Sequence, residues 1–189
     1  MADRRDELLD GAVAWVFDHG FAELSLRPLA SALQTSDRML LYYFGTKEQL
    51  IVEVAGRAAD GLVALMPPID LDRPPRSSKA WLDACWALFT DPAARQAMAL
   101  LFEIDVLGTR DPAAFGAAAT RVADRWMASV DAAMTALGVP ARSRRGIGRV
   151  VGAALVGLTL DALVRAERTR PAAEIAVLAR LIDDARRPT

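Results

Sequence analysis

The chain has 189 residues, 53% hydrophobic and 25% charged, so a sizeable core is available and a disordered chain is excluded. Its 23 Lys and Arg against 24 Asp and Glu leave a net charge of −1, which excludes a strongly basic nucleic-acid coat protein and a polybasic membrane binder. A single Cys, Cys85, and a single His, His19, exclude an intramolecular disulfide, a multi-Cys zinc site and an HExxH metalloprotease.

This composition predicts a reduced, soluble, cytoplasmic protein that needs no metal and no cofactor. The opening residues MADRRDEL are not followed by an apolar signal-type segment, because Asp10, Asp18 and His19 interrupt the next stretch. The most apolar run, Val150 to Leu160, is eleven residues, about half of what a bilayer span requires. It reads as a buried helix.

Helical periodicity dominates, and four helices are expected before a Pro-rich loop and five after it. The first runs from about Arg4 to His19, with Gly20 as a left-handed stop. His19, just before that stop, is expected to interact with the last carbonyls of the helix. Ser25 is placed as N-cap of a short helix carrying Leu29, Ala30 and Leu33, with Pro28 in its first turn. Ser36 caps the next, Asp37 to Phe44. Thr46-Lys47-Glu48-Gln49 matches a capping box that opens a longer helix, which Pro67-Pro68 ends. Residues 67–78, PPIDLDRPPRSS, are the best internal boundary. Beyond it, Asp91-Pro92 and Asp111-Pro112 each combine a cap acceptor with a first-turn Pro. Gly108 and Gly138 read as helix ends, Pro140 and Pro171 as helix starts, and the last two helices fall near 141–168 and 172–186.

Residues 25–44, SLRPLASALQTSDRMLLYYF, place two short helices on either side of a tight turn at Gln34-Thr35-Ser36. This is helix-turn-helix spacing, in which the second helix enters a DNA major groove. Leu29, Ala30, Leu33 and Leu40 supply an inner face, and Arg38, Tyr42 and Tyr43 are available outside. With the three-helix start, the stretch MLLYYFGTKEQL and the total length, the sequence resembles the TetR family of bacterial transcriptional regulators. The likeness is specific over about residues 5–55. The turn departs from the family pattern, with Gln34 and Thr35 where Gly and a small apolar residue are usual, and Leu41 replaces the first aromatic of the cluster.

The resemblance implies an all-α fold, with a DNA-binding domain over 1–48 and a ligand-binding and dimerisation domain over 49–189. It implies DNA contacts from Ser25, Arg27, Ser36, Asp37, Arg38, Met39, Tyr42, Tyr43 and Lys47, with Phe44 in the core. Residues 1–48 carry five basic against eight acidic side chains, so non-specific DNA affinity should be weak.

In the second half, Trp81, Cys85, Trp86, Phe89, Met98, Phe102, Trp126 and Met127 form apolar stripes. Such stripes are commonly core, yet they also suit a cavity for a small apolar effector, with Glu103 and Asp105 able to orient a polar group. Gly148-x3-Gly152 permits close approach of two helices. The helix that carries it is apolar nearly all round, so Val151, Leu155 and Leu158, with Leu178 and Ile182 of the last helix, are the expected homodimer interface. The reading is a non-enzymatic, ligand-responsive regulator, a repressor in sense, that binds operator DNA as a homodimer. The alternative is an interaction protein of the same architecture without specific DNA binding.

Overall fold

The computed structural model describes residues 2–65, 77–165 and 171–187. Among them the chain forms nine α-helices and no strand. They are α1 (Ala2–His19), α2 (Leu26–Ala32), α3 (Asp37–Phe44), α4 (Lys47–Leu65), α5 (Ser78–Phe89), α6 (Pro92–Arg110), α7 (Pro112–Ala136), α8 (Ala141–Arg165) and α9 (Ala172–Ala185). Most of the Pro-rich stretch, 66–76, lies outside the described residues.

The local signals account for most of these boundaries. Gly20 and Gly138 adopt φ of +83° and +78°, the left-handed region that ends a helix at little cost only for glycine. His19 donates from Nδ1 to the Trp15 carbonyl at 2.8 Å and stacks on the Trp15 ring. Ser77 and Asp111 accept hydrogen bonds from the Ala80 and Ala114 amides and so cap α5 and α7.

Gly108 departs from expectation. It sits inside α6, in the last turn, and a Cβ built there would fall 2.5 Å from the Cβ of Ala119. Its smallness serves the contact of α6 with α7, not a helix stop.

The described residues divide into two compact units: one within 1–62 and 96–124, the other within 63–95 and 125–187. The core of the first is built around Phe21, Leu24, Leu29, Leu40, Ile51 and Val54, all 1% exposed or less. Leu100 and Ile104 of α6 and Ala118 and Val122 of α7 complete it. The helix-turn-helix core is thus closed by residues some sixty positions beyond the motif.

In the second unit α5 lies against α9, and the buried Ser78 hydroxyl donates to Asp183 Oδ1 at 2.6 Å. Gly148 and Gly152 let α8 close on α7: a Cβ at Gly152 would meet Trp126 Nε1 at 3.1 Å and Val130 Cγ2 at 3.4 Å.

Among the described residues only one seam of α8 is buried: Gly148, Val151, Gly152, Leu155, Thr159 and Ala162. The rest of the helix is half-buried or open to solvent in the single subunit. Val150, Leu160 and Val164 stand 54%, 45% and 77% exposed. α8 also has the length and composition of a membrane span, as core helices can.

The two kinds of helical glycine separate in a stability measurement. Gly152→Leu should cost about 1–3 kcal/mol by overpacking against Trp126 and Val130. Gly61→Ala, with nothing within 4 Å of the added Cβ, should gain about 0.5–1 kcal/mol. Urea midpoints at unchanged slope read both; equal shifts of the same sign would contradict the packing described.

Candidate nucleic-acid interface

An eight-residue helix is too short to hold itself in water, so α3 must be fixed from outside. Leu40 and Phe44, 0% and 4% exposed, plug its inner face into the core. Each such side chain contributes about 1.5–3 kcal/mol by burial. At its start the Ser36 hydroxyl accepts from the Met39 amide at 3.3 Å.

At its end Arg5 of α1 gathers three partners. Its guanidinium donates to the Tyr43 carbonyl at 3.4 Å, pairs with Glu53 of α4, and lies 5.1 Å from the centre of the Phe44 ring. Arg5 therefore ties the last turn of α3 to both flanking helices.

The turns on either side obey opposite rules. Gly45 has φ +81°, and a Cβ there would overlap Gln49 Oε1 at 2.0 Å. Glycine at this place lets the capping box form: the Thr46 amide donates to Gln49 Oε1 at 3.0 Å and the Gln49 amide to Thr46 Oγ1 at 3.1 Å. Before α3, Gln34 holds φ +51°, a left-handed residue where glycine would be unstrained. The Thr35 amide donates to the Ala30 carbonyl at 2.9 Å and closes that turn.

Thus fixed, α3 presents Ser36, Asp37, Arg38, Met39, Leu41 and Tyr42 outward; Tyr42 is 66% exposed. Tyr43 is half-buried, with its ring edge-to-face against Tyr42 at 5.2 Å. Arg27 is exposed at the start of α2, and Lys47 is half-buried at the start of α4.

Ser25 sits at the N-cap of α2 with extended backbone, but its side chain makes no cap hydrogen bond. Ser25 thus holds the expected N-cap position, and the missing bond has a simple reason: the N3 position is Pro28, which has no amide hydrogen to offer.

The acidity of the first 48 residues is sorted by position. Asp6 and Asp10 face Arg57 of α4 at 3.8 and 2.9 Å, and Glu7 pairs with Arg4. Arg27, Arg38 and Lys47 form no ion pair among the described residues. Asp37 and Glu48 stand near them; hydrogen bonds from its own backbone amide and from Thr46 hold the Glu48 carboxyl below its usual range, so it is charged at neutral pH. The exposed face is therefore mixed in charge, while three of the eight acidic groups, Asp6, Glu7 and Asp10, are paired along α1.

Residues 8–54 match the family model described as bacterial regulatory proteins, tetR family. Over that segment the chain is similar to the TetR family. Solved TetR-like structures share the whole fold. A TetR-family member from Streptomyces coelicolor A3 is 25% identical, with 94% of this chain and 97% of that one covered at a TM-score of 0.70. A multidrug binding protein, EbrR, complexed with proflavin is 24% identical, with 94% and 99% covered at 0.74. A TetR-family regulator from Rhodococcus sp. is 18% identical, with 99% and 100% covered at 0.71. No curated protein matches the sequence.

The residues expected to line an effector cavity are divided between the two units. Trp81, Cys85, Trp86 and Phe89 of α5 are buried, and Trp126 and Met127 of α7 are half-buried, all in the second unit. Phe89 and Trp126 meet edge-to-face at 5.6 Å. Met98, buried, and Phe102, half-buried, belong to the first unit. Glu103, expected to orient a polar group, instead accepts from the backbone amides of Phe21 and Ala22. The Nε1 donors of Trp81 and Trp126 are buried with no partner among the described residues.

Four of the five expected interface residues face inward: Val151 and Ile182 are 0% exposed, Leu155 0% and Leu178 7%. Leu158 is half-buried. Their apolarity serves the subunit's own α8–α9 core, which sequence periodicity alone does not distinguish from an interface.

Two substitutions probe these features. Gly45→Ala should cost about 1–3 kcal/mol, because it strains φ and breaks the capping box together; an unchanged melting midpoint would contradict that geometry. Burial pushes the Cys85 thiol up to about 12. Below that pH it stays a neutral thiol, so a thiol-reactive dye at pH 8 should label Cys85 only on unfolding, and rapid labelling of the native protein would contradict its burial.

Proposed function

We propose that the chain is a ligand-responsive transcriptional repressor that binds operator DNA as a homodimer. The observation that carries this reading is the outer face of α3: Asp37, Arg38, Leu41 and Tyr42 stand in solvent while Leu40 and Phe44 lock the opposite face. Such a rod suits a major groove, with Arg38 at base edges and Tyr42, Arg27 and Lys47 at phosphates. Ser36, Asp37 and Met39 accompany Arg38 at the groove-facing start of the helix. Tyr43, half-buried, reaches only the backbone side.

Pairing is supported by the second seam of α8. Gly146, Val150, Ala153, Gly157, Leu160 and Val164 recur at alternating spacings of four and three, the period of a helix-on-helix contact. Val177 of α9, 53% exposed, extends the free apolar surface. A second copy seated here gives a four-helix contact, two helices from each subunit.

The proposed effector is small, largely apolar, and carries a hydrogen-bond acceptor. The unpartnered indole N–H groups of Trp81 and Trp126 support this, since each buried donor left unsatisfied costs about 1–3 kcal/mol. Proflavin, bound by the EbrR neighbour, is a flat aromatic molecule with a ring nitrogen and is the first probe to try. Effector binding favours a state in which α4 has shifted and the two recognition helices no longer match successive grooves. Linkage requires DNA to weaken the effector by the same factor. The cytoplasm is where such a regulator works.

The test is a titration of the full-length protein against DNA flanking its own coding region. Tight binding to one segment is expected, with Arg38→Ala weakening it by about 1–3 kcal/mol per half-site. With three cations per subunit, the slope of log affinity against log salt should be no steeper than about −5. No preference for any segment would favour the interaction-protein reading. For pairing, Leu160→Arg and Val164→Arg should each sediment as monomers while keeping their helical signal; an intact dimer in both would exclude the α8 seam.

A further inference from the structure

The corner between α1 and α2 is held by a residue eighty positions away. Glu103 of α6 accepts from the Phe21 amide through Oε2 at 3.1 Å and from the Ala22 amide through Oε1 at 2.9 Å. These amides lie just beyond the last helical bond of α1, which the Gly20 amide makes to the Val16 carbonyl. Gly20 is a partner in the arrangement: a Cβ there would stand 3.0 and 3.1 Å from the two carboxylate oxygens.

One carboxylate thus receives two successive backbone donors, a charge-assisted bidentate contact about twice as strong per bond as a neutral one. Two turns earlier on α6, Gln96 Nε2 donates to the Phe17 carbonyl at 2.5 Å. Between them Leu100 and Ile104 enter the same core as Phe21 and Leu24. This face of α6 therefore grips the end of α1 and the approach to α2.

We propose that Glu103 is a positioning residue for DNA reading: its carboxylate fixes the α1–α2 corner and thereby the placement of α2 and α3, so that any displacement of α6 reaches the recognition helix through this clamp. The inference rests on the DNA-binding reading above. Glu103 touches no DNA and acts through the Phe21 and Ala22 amides. A route through α6 complements a shift of α4, because the clamp reaches α2 from its N-terminal side.

Glu103→Gln provides the test. The amide keeps one acceptor but turns an NH2 group toward a backbone N–H, so at least one of the two bonds is lost. In the full-length protein, hydrogen exchange at the Phe21 or Ala22 amide should speed up about tenfold, with the Leu40 and Ile51 amides keeping their protection. Affinity for the operator segment should fall about tenfold, with affinity for unrelated DNA unchanged. That separation is what loss of general stability does not produce. Faster exchange at the corner with unchanged operator affinity would overturn the proposal and leave the regulator reading standing. Unchanged exchange would also overturn it. If the wild-type protein binds no DNA segment selectively, the regulator reading fails and the clamp's role fails with it.

Discussion

A two-turn helix has almost no stability of its own, and everything about the first unit follows from the need to hold one rigidly while leaving half of it bare. Leu40 and Phe44 supply the anchorage from within, burying the inner face of α3 completely or nearly so. Arg5 supplies it at the far end, where one guanidinium joins the Tyr43 carbonyl, Glu53 and the Phe44 ring. The capping box at Thr46 and Gln49 fixes the direction in which the chain leaves. None of these contacts uses the outer face, which is why Arg38 and Tyr42 can remain in solvent at no structural cost.

The same division of labour governs charge and apolar surface. Counting side chains over residues 1–48 gives an acidic segment, yet Asp6, Asp10 and Glu7 are engaged along α1 and by Arg57. The cations around α3 are left without such partners among the described residues. On α8, one seam of small and branched residues closes against α7 and the subunit core, and the other carries exposed Val150, Leu160 and Val164. One helix thus serves two apolar surfaces, which explains both its hydropathy and its two sets of glycines.

Local signals were legible in the sequence because their causes lie within a few residues. The left-handed stops at Gly20 and Gly138, the Ser36 cap, the capping box and the limits of α3 all depend on neighbours no more than five positions away. What was not legible depends on partners distant in the chain. Nothing around Arg5 announces Glu53, and nothing around Glu103 announces Phe21 and Ala22. Periodicity marks α8 as apolar nearly all round but does not show which side turns inward; Val151, Leu155, Leu178 and Ile182, expected at an interface, are buried within the subunit. Gly108 looked like a stop because its packing partner, Ala119, lies on the next helix. Ser25 holds the N-cap position without a side-chain bond, by a local rule that Pro28 at N3 already states.

The most direct measurement of the central claim is an amide hydrogen-exchange footprint of the full-length protein with and without a saturating operator duplex. The account predicts slowed exchange over Asp37–Tyr43, at the start of α2 and at Lys47, with α9 unaffected. Protection confined to other helices, or none over α3 while the duplex is demonstrably bound, would contradict it.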